Sequence, residues 1–290
     1  MTKLKVLCVI MLCGGDEQQR DLAISAVRAS ALPAGLARHL HLIDTADEVN
    51  ARLVALADNY DDVHYRRHSF SGYASTRRFA LSDAASTDMY DFYMFLDDDD
   101  VIHPHSIENA ILHLEANPGI LLGGTVTSSG SDHQVCSQSS DCLHAVETVG
   151  ASLMSFEASL VDEVQSSLGT RFDKSGGEDT SVCIDFRDRG RRVLRAGCVQ
   201  AVDSQRAEGH LNFKLLFHNA WLYSALQSQP HLSASRRRKF VRLMSSFRSI
   251  LLGVFTREQL VVGLGGLVGL VMAEPPPRSW TNQRPENRGV

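Results

Sequence analysis

The chain has 290 residues, 43% of them apolar and 22% charged, and a formal net charge of −5. These proportions exclude a largely disordered or fibrous protein, and the acidic balance excludes a general nucleic-acid binder, which carries a basic surplus. Six cysteines, at positions 8, 13, 136, 142, 183 and 198, are too few for a disulfide scaffold and show no paired C-x-x-C spacing, which speaks against a structural zinc site.

The N-terminus sets about ten apolar residues behind two lysines in the manner of a signal peptide, but no A-x-A cleavage site follows. It reads instead as a buried strand over 5–13 in a reducing cytoplasm. Gly14 and Gly15 break the run, and apolar residues at near-helical spacing predict a helix over 18–30. A strand over 39–43 ends at Asp44, followed by a helix over 46–57 and a short strand over 63–66. An Ala-rich helix over 73–85 is entered through Gly72. A strand over 92–96 is stopped by Asp97, Asp98, Asp99 and Asp100. Pro104 opens a helix to about 115, since proline fits the first helical turn, and a fifth strand covers 120–126. This alternation predicts an α/β, Rossmann-like, mostly parallel sheet with helices on both faces and a ligand site beyond the C-terminal strand ends.

Beyond residue 128 the pattern loosens: a polar surface loop to 142, a strand over 146–156, and a Gly-Gly turn at 176–177. A helix over 178–189, a short strand near 193–194 and a helix over 212–226 follow. The boundaries are one α/β domain over 1–230, a short helical extension over 231–273, basic and then apolar, and a disordered tail over 274–290. Residues 235–255 pair a basic cluster with amphipathic apolar spacing, the next apolar run ends at 273, and the expected roles of this segment are a peripheral membrane contact, packing on the catalytic domain, or an oligomer interface through 235–273. The apolar run of about 15 residues with four glycines is too short and flexible for a transmembrane helix.

Four adjacent aspartates at a strand end carry the chemistry. Crowded carboxylates repel, and one is protonated unless a cation intervenes; a hard divalent ion with oxygen ligands resolves this, and Mg2+ also takes substrate phosphates. The competing reading is a solvated acidic turn that caps the next helix.

The run FYMFLDDDDVIHPHSI resembles the aspartate motif of glycosyltransferase family 2, inverting enzymes of GT-A fold that use sugar nucleotides. Gly72 to Arg78 resembles the family's G-x-A-x-A-R-N element, with Arg78 in place of Asn. Gly150 to Phe156, with Phe172-Asp173, resembles its acceptor-side element, and Gly176-Gly177-Glu178-Asp179 with Asp185 to Gly190 its G-E-D…R-x-x-G element. The matches span 4 to about 226.

The resemblance implies a metal-dependent inverting glycosyltransferase that moves a sugar from a nucleotide-diphosphate sugar to an acceptor hydroxyl, with Mn2+ or Mg2+ as cofactor. It implies Asp179 as the base, Asp97 and Asp99 as metal ligands, and a donor site that includes Asp44, Arg77, Asp97 and Asp98. Gly150, Ala151 and Glu178 fall on the acceptor side, and Glu178 is the alternative base. Asp44 is read either as a contact to the nucleotide base or as a helix cap, and Arg77 either near the phosphates or in a structural ion pair. Where many members carry a late metal-binding histidine, this chain has Asp203, with His210 seven residues on, so these two compete as the third ligand. The acceptor is a saccharide, a lipid-linked glycan or a protein, nucleic acid is not a partner, and the location is cytoplasmic or on the cytoplasmic membrane face. The alternatives are a GT-A nucleotidyltransferase, disfavoured by the acidic Asp16-Glu17 after the first strand, and a non-catalytic relative that binds sugar nucleotides or glycans. Cys136 and Cys142 flank a serine-rich loop with no histidine at ligand spacing, and Cys8, Cys13, Cys183 and Cys198 read as core.

Overall fold

The computed structural model describes residues 4–128, 142–169, 173 and 177–203. Most of the polar loop, Cys136, Gly176, His210, the helix over 212–226, the extension over 231–273 and the tail lie outside the described residues.

The described chain runs β1 (Lys5–Cys13), α1 (Glu17–Ala29), β2 (Leu36–Asp44), α2 (Ala51–Asn59), β3 (Val63–Arg67), α3 (Tyr73–Ala85), β4 (Phe92–Asp97) and β5 (Asp100–Ile102). It continues through α4 (Ser106–Ala116), β6 (Leu121–Ser128), β7 (Leu143–Ala145), β8 (Ser155–Glu157), α5 (Val161–Ser167), α6 (Glu178–Asp188) and β9 (Val193–Asp203). The strands form one mixed sheet in the order β3-β2-β1-β4-β8-β6-β9-β5, with β7 also on β9. The long pairings are parallel (β1 with β2 and β4, β2 with β3, β6 with β9), and the short ones of β5, β7 and β8 are antiparallel.

Alternation along β1 explains why both faces are covered. Leu7, Val9, Met11 and Cys13 pack with Ala23, Ile24 and Val27 of α1 and Ile107, Ala110 and Leu114 of α4. Cys8 and Ile10 face the other way, toward Leu81 and Ala84 of α3 and Val182 and Phe186 of α6. A strand buried on both faces reads as a continuous apolar run, which is how β1 appears in sequence.

Several local expectations are corrected. The second helix starts at Ala51, not 46, because the Asn50 side chain accepts from the Arg52 and Leu53 amides and caps it there. Pro104 precedes α4 instead of occupying its first turn. The segment expected as a strand over 146–156 is strand only at Ser155–Glu157. The rest is an irregular stretch in which Leu153 takes φ of 65°, a conformation costly for a side-chain-bearing residue. The final strand runs to Asp203, far beyond 194, because it pairs with β5, β6 and β7 at once.

On β2 and β3, His41 is buried, stands 2.6 Å from the Tyr90 hydroxyl, and packs against His64 at 4.6 Å between ring centroids. Burial, then the charges of His64, His39 and Arg66, push its pKa down to about 3. The neutral form is therefore favoured by folding; this stability is full above the unfolded value near 6.5 and is lost as pH falls toward 3. Between pH 7 and 5 the native protein should lose about 2 kcal/mol that a His41→Gln variant does not lose, as read from urea unfolding at each pH.

Candidate active site

A cleft of about 790 Å3 opens where β1 and β4 end, and β6 and β9 supply its far wall. This is the strand-end crevice at which open α/β sheets bind ligands. Its floor depends on two glycines. The Gly14 and Gly15 amides donate to Asp98 at 2.9 and 2.7 Å, and a Cβ on Gly15 would stand 2.9 Å from the Asp98 carboxylate. Glycine lets the turn after β1 close on the acid, so the structure engages Asp98 with that turn.

Arg77 is the centre of the site. It is 5% exposed, on the third helix, and donates to Asp97 at 2.8 Å and to Glu178. The helix that carries it is capped from afar: Gly72 at its N-cap has no side chain, and Asp173 accepts from the Ser75 amide at 2.6 Å in its place. Gly72 sits at φ of 135°, and a Cβ there would lie 2.0 Å from the Asp173 Cβ, so only glycine admits this cap.

Asp97 ends β4, Asp98 and Asp99 form the turn, and Asp100 opens β5, where it is the register partner of Asp203. The sequence-adjacent acids are thereby joined by one from the far end of the chain. Burial and then its neighbours Asp97, Asp203 and Asp98 push Asp99 up to about 6. Burial leads again at Asp100, raised to about 7 despite a hydrogen bond from Ser152. Among the described residues no three of these carboxylates bring ligand oxygens within 4.8 Å of one another, so they form an open acidic edge and not a closed cage.

Glu178 and Asp179, which line the same cleft, begin α6 behind Gly177. Glu178 is buried against Arg77, and burial raises it to about 7 against the pull of that guanidinium. Asp179 lines the cleft, accepts from the Thr180 amide at 2.6 Å, and is likewise raised by burial. Gly150, Ala151 and Ser152 border the same space.

Comparison with known proteins agrees with this geometry. The sequence model described as glycosyl transferase family 2 matches residues 34–153. Over that stretch the chain is similar to glycosyl transferase family 2. Among solved structures, GalNAc-T7 with UDP, GalNAc and Mn2+ is similar at a TM-score of 0.58 and 13% identity, over 81% of this chain and 52% of that one. S. aureus TarS 1-349 in complex with UDP-GlcNAc is similar at 0.58 and 12% identity, over 93% of this chain and 81% of that one. This chain thus spans about half of the GalNAc-T7 structure, and at these identities the likeness is one of fold, the GT-A architecture. A search of the curated proteins finds no match.

The match covers Asp44, Arg77, the four aspartates and Gly150 to Ser152, and it stops before Glu178, Asp179 and Asp203. The structure nevertheless brings all of these except Asp44 to the one cleft. Asp44 is 1% exposed, and its carboxylate accepts from the Ala46 and Asn50 amides and the Tyr65 hydroxyl. It shapes the loop after β2 and leaves the cleft wall to Thr45; the expectation that it caps the next helix is corrected, since Asn50 does so. Ser152, which donates to Asp100 and accepts from the Asp97 amide at 3.4 Å, is a site residue that the sequence did not single out. Its only signal was its place beside Gly150 and Ala151.

The buried pair makes a quantitative test. Arg77→Met should cost about 3–5 kcal/mol in urea unfolding, because it leaves Glu178 buried without its partner and forces it to take up a proton or stand as an unpaired charge. Adding Glu178→Met should recover most of that loss, a coupling that a mere surface pair would not show.

Proposed function

We propose that the protein is a metal-dependent, inverting glycosyltransferase that moves a sugar from a nucleotide-diphosphate sugar to an acceptor hydroxyl. The observation that carries this reading is the gathering of two acid sets round one cleft, Asp97 to Asp100 with Asp203, and Asp179 from the start of α6. The similar structures were determined with UDP and Mn2+ in one case and with UDP-GlcNAc in the other, which supports a sugar-nucleotide donor.

The residues fit a hard divalent ion. Carboxylate oxygens are the donors Mg2+ and Mn2+ prefer, and an open acidic edge leaves such an ion room to complete its shell with substrate phosphates. Asp99 and Asp97 would hold the ion, with Asp203 as third ligand on the strength of its pairing with Asp100; the competing His210 lies outside the described residues. When bound, the ion supplies positive charge to the diphosphate leaving group.

The chain's own residues do the rest. Arg77 fixes Asp97 and Glu178, so both walls hold their positions without solvent reorganisation. Asp179 takes the proton from the acceptor hydroxyl, whose oxygen bonds to the anomeric carbon as the bond to the diphosphate oxygen breaks on the opposite face. The nucleoside diphosphate departs and the anomeric centre inverts. Burial raises the Asp179 pKa, which strengthens it as a base. The acceptor would enter past Gly150 and Ala151, where a Cβ on Gly150 meets nothing within 4 Å. Among the described residues no helix is long and apolar enough to cross a membrane.

Two outcomes are expected with purified protein and a panel of nucleotide sugars. Excess EDTA should abolish transfer and Mn2+ should restore it, while Asp99→Ala should remove the response to metal; full activity in EDTA would contradict the reading. Asp179→Asn should lower kcat about a hundredfold to ten-thousandfold with donor affinity nearly unchanged, and near-normal turnover would show the base to be another group.

A further inference from the structure

Three side chains from distant parts of the sequence meet outside the cleft. His113 lies on α4, Cys142 stands just before β7, and Cys198 is within β9. The His113 Nε2 is 3.2 Å from the Cys198 Sγ and 3.4 Å from the Cys142 Sγ, and the two sulfurs are 2.7 Å apart. Among the described residues this is the only group of three or more potential ligand atoms lying within 4.8 Å of one another. Both cysteines are buried.

The scaffold around the group is fixed independently. Ser106, Asn109 and His113 form one stripe of α4 turned to β9. The Ser106 hydroxyl donates to the Gln200 carbonyl at 2.7 Å, and the Asn109 amide donates to the Cys198 carbonyl at 2.9 Å. The antiparallel pairing of β7, with Leu143 opposite Ala196, lays Cys142 beside the Gly197-Cys198 step. A Cβ on Gly197 would come within 3.7 Å of the Cys142 carbonyl, so the two backbones run close at this point.

Two thiolates and an imidazole are the donor set of a borderline-soft cation, unlike the all-oxygen edge in the cleft. The His113 Nε2 is the ring nitrogen turned to both sulfurs, and an unprotonated imidazole nitrogen is the form that binds metal. Tetrahedral zinc bonds of about 2.3 Å to sulfur and 2.1 Å to nitrogen place neighbouring ligand atoms about 3.6–3.8 Å apart, so the sulfurs need only spread modestly. A disulfide would use the sulfurs alone, whereas here the ring nitrogen is turned to both of them.

We propose that His113, Cys142 and Cys198 bind a zinc ion, with water or another small ligand in the fourth position. The ion joins α4 and the segment entering β7 to the strand that ends in Asp203. None of His113, Cys142 and Cys198 lines the cleft, so the zinc site is distinct from the acidic edge.

The test is metal analysis of the full chain purified under reducing conditions without chelator. About one zinc per chain is expected, reduced about tenfold or more in Cys142→Ser and in His113→Ala, and unchanged in Asp99→Ala. Should the variants not fold, cobalt replacement in the native chain decides: thiolate-to-cobalt charge-transfer absorption with tetrahedral ligand-field bands is expected. A wild-type chain that retains no zinc and gives no thiolate absorption with cobalt would overturn the proposal. So would zinc that survives in Cys142→Ser but is lost in Asp99→Ala, or an intact-mass signature of a Cys142–Cys198 disulfide that forms equally in His113→Ala.

Discussion

A buried guanidinium ties the two walls of the cleft together. Arg77 reaches Asp97 at the end of β4 and Glu178 at the start of α6, residues from opposite sides of the irregular segment that crosses the sheet. A charge so deep is tolerated only with compensation, and the two carboxylates supply it. The dependence runs both ways, since Glu178 already keeps one buried oxygen without a hydrogen-bond partner and relies on Arg77 for its charge. The position of Asp179 follows from that of its neighbour, and the position of Arg77 follows from a helix capped by Asp173.

The sheet provides the second constraint. Its parallel half delivers the ends of β1 and β4 to one rim, and the short antiparallel β8 turns the sheet over to β6 and β9. The pairing of β5 with β9 then returns Asp203 to the run that begins at Asp97. Like charges are thus concentrated where the chain cannot avoid them, and burial raises Asp99 and Asp100 into a range where they compete with protons near neutrality. A site that stores repulsion in this way favours whatever cation relieves it.

Much of this was legible in the sequence because β1, β2 and β4 carry continuous buried apolar runs, and the helices between them are punctuated by Asp16, Gly72 and the Gly14-Gly15 turn. What escaped reading depends on contacts between distant segments. β5 is three residues whose strand character comes from β9, and it carries no periodicity of its own. The 146–156 segment has the small and apolar residues of a strand, yet Val149 presses on Gly123 and Leu153 on Gly124, so it packs across the sheet and pairs only at its end. The role of Ser152 and the approach of His113 to Cys142 and Cys198 share that origin: each is created by tertiary register. Cysteine spacing, used to argue against a zinc site, is blind to a histidine arriving from a helix 85 positions away.

The central claim is that an open acidic edge holds a divalent ion jointly with a nucleoside diphosphate. Electron paramagnetic resonance of Mn2+ titrated into the protein, alone and with each of UDP, GDP and dTDP, tests it most directly. Because phosphate oxygens complete the coordination shell, Mn2+ should bind weakly alone and markedly more tightly with at least one nucleotide, and by linkage the nucleotide should gain the same factor from Mn2+. Mn2+ affinity unchanged by every nucleotide, in a protein whose Asp99→Ala variant binds as the native chain does, would contradict the account.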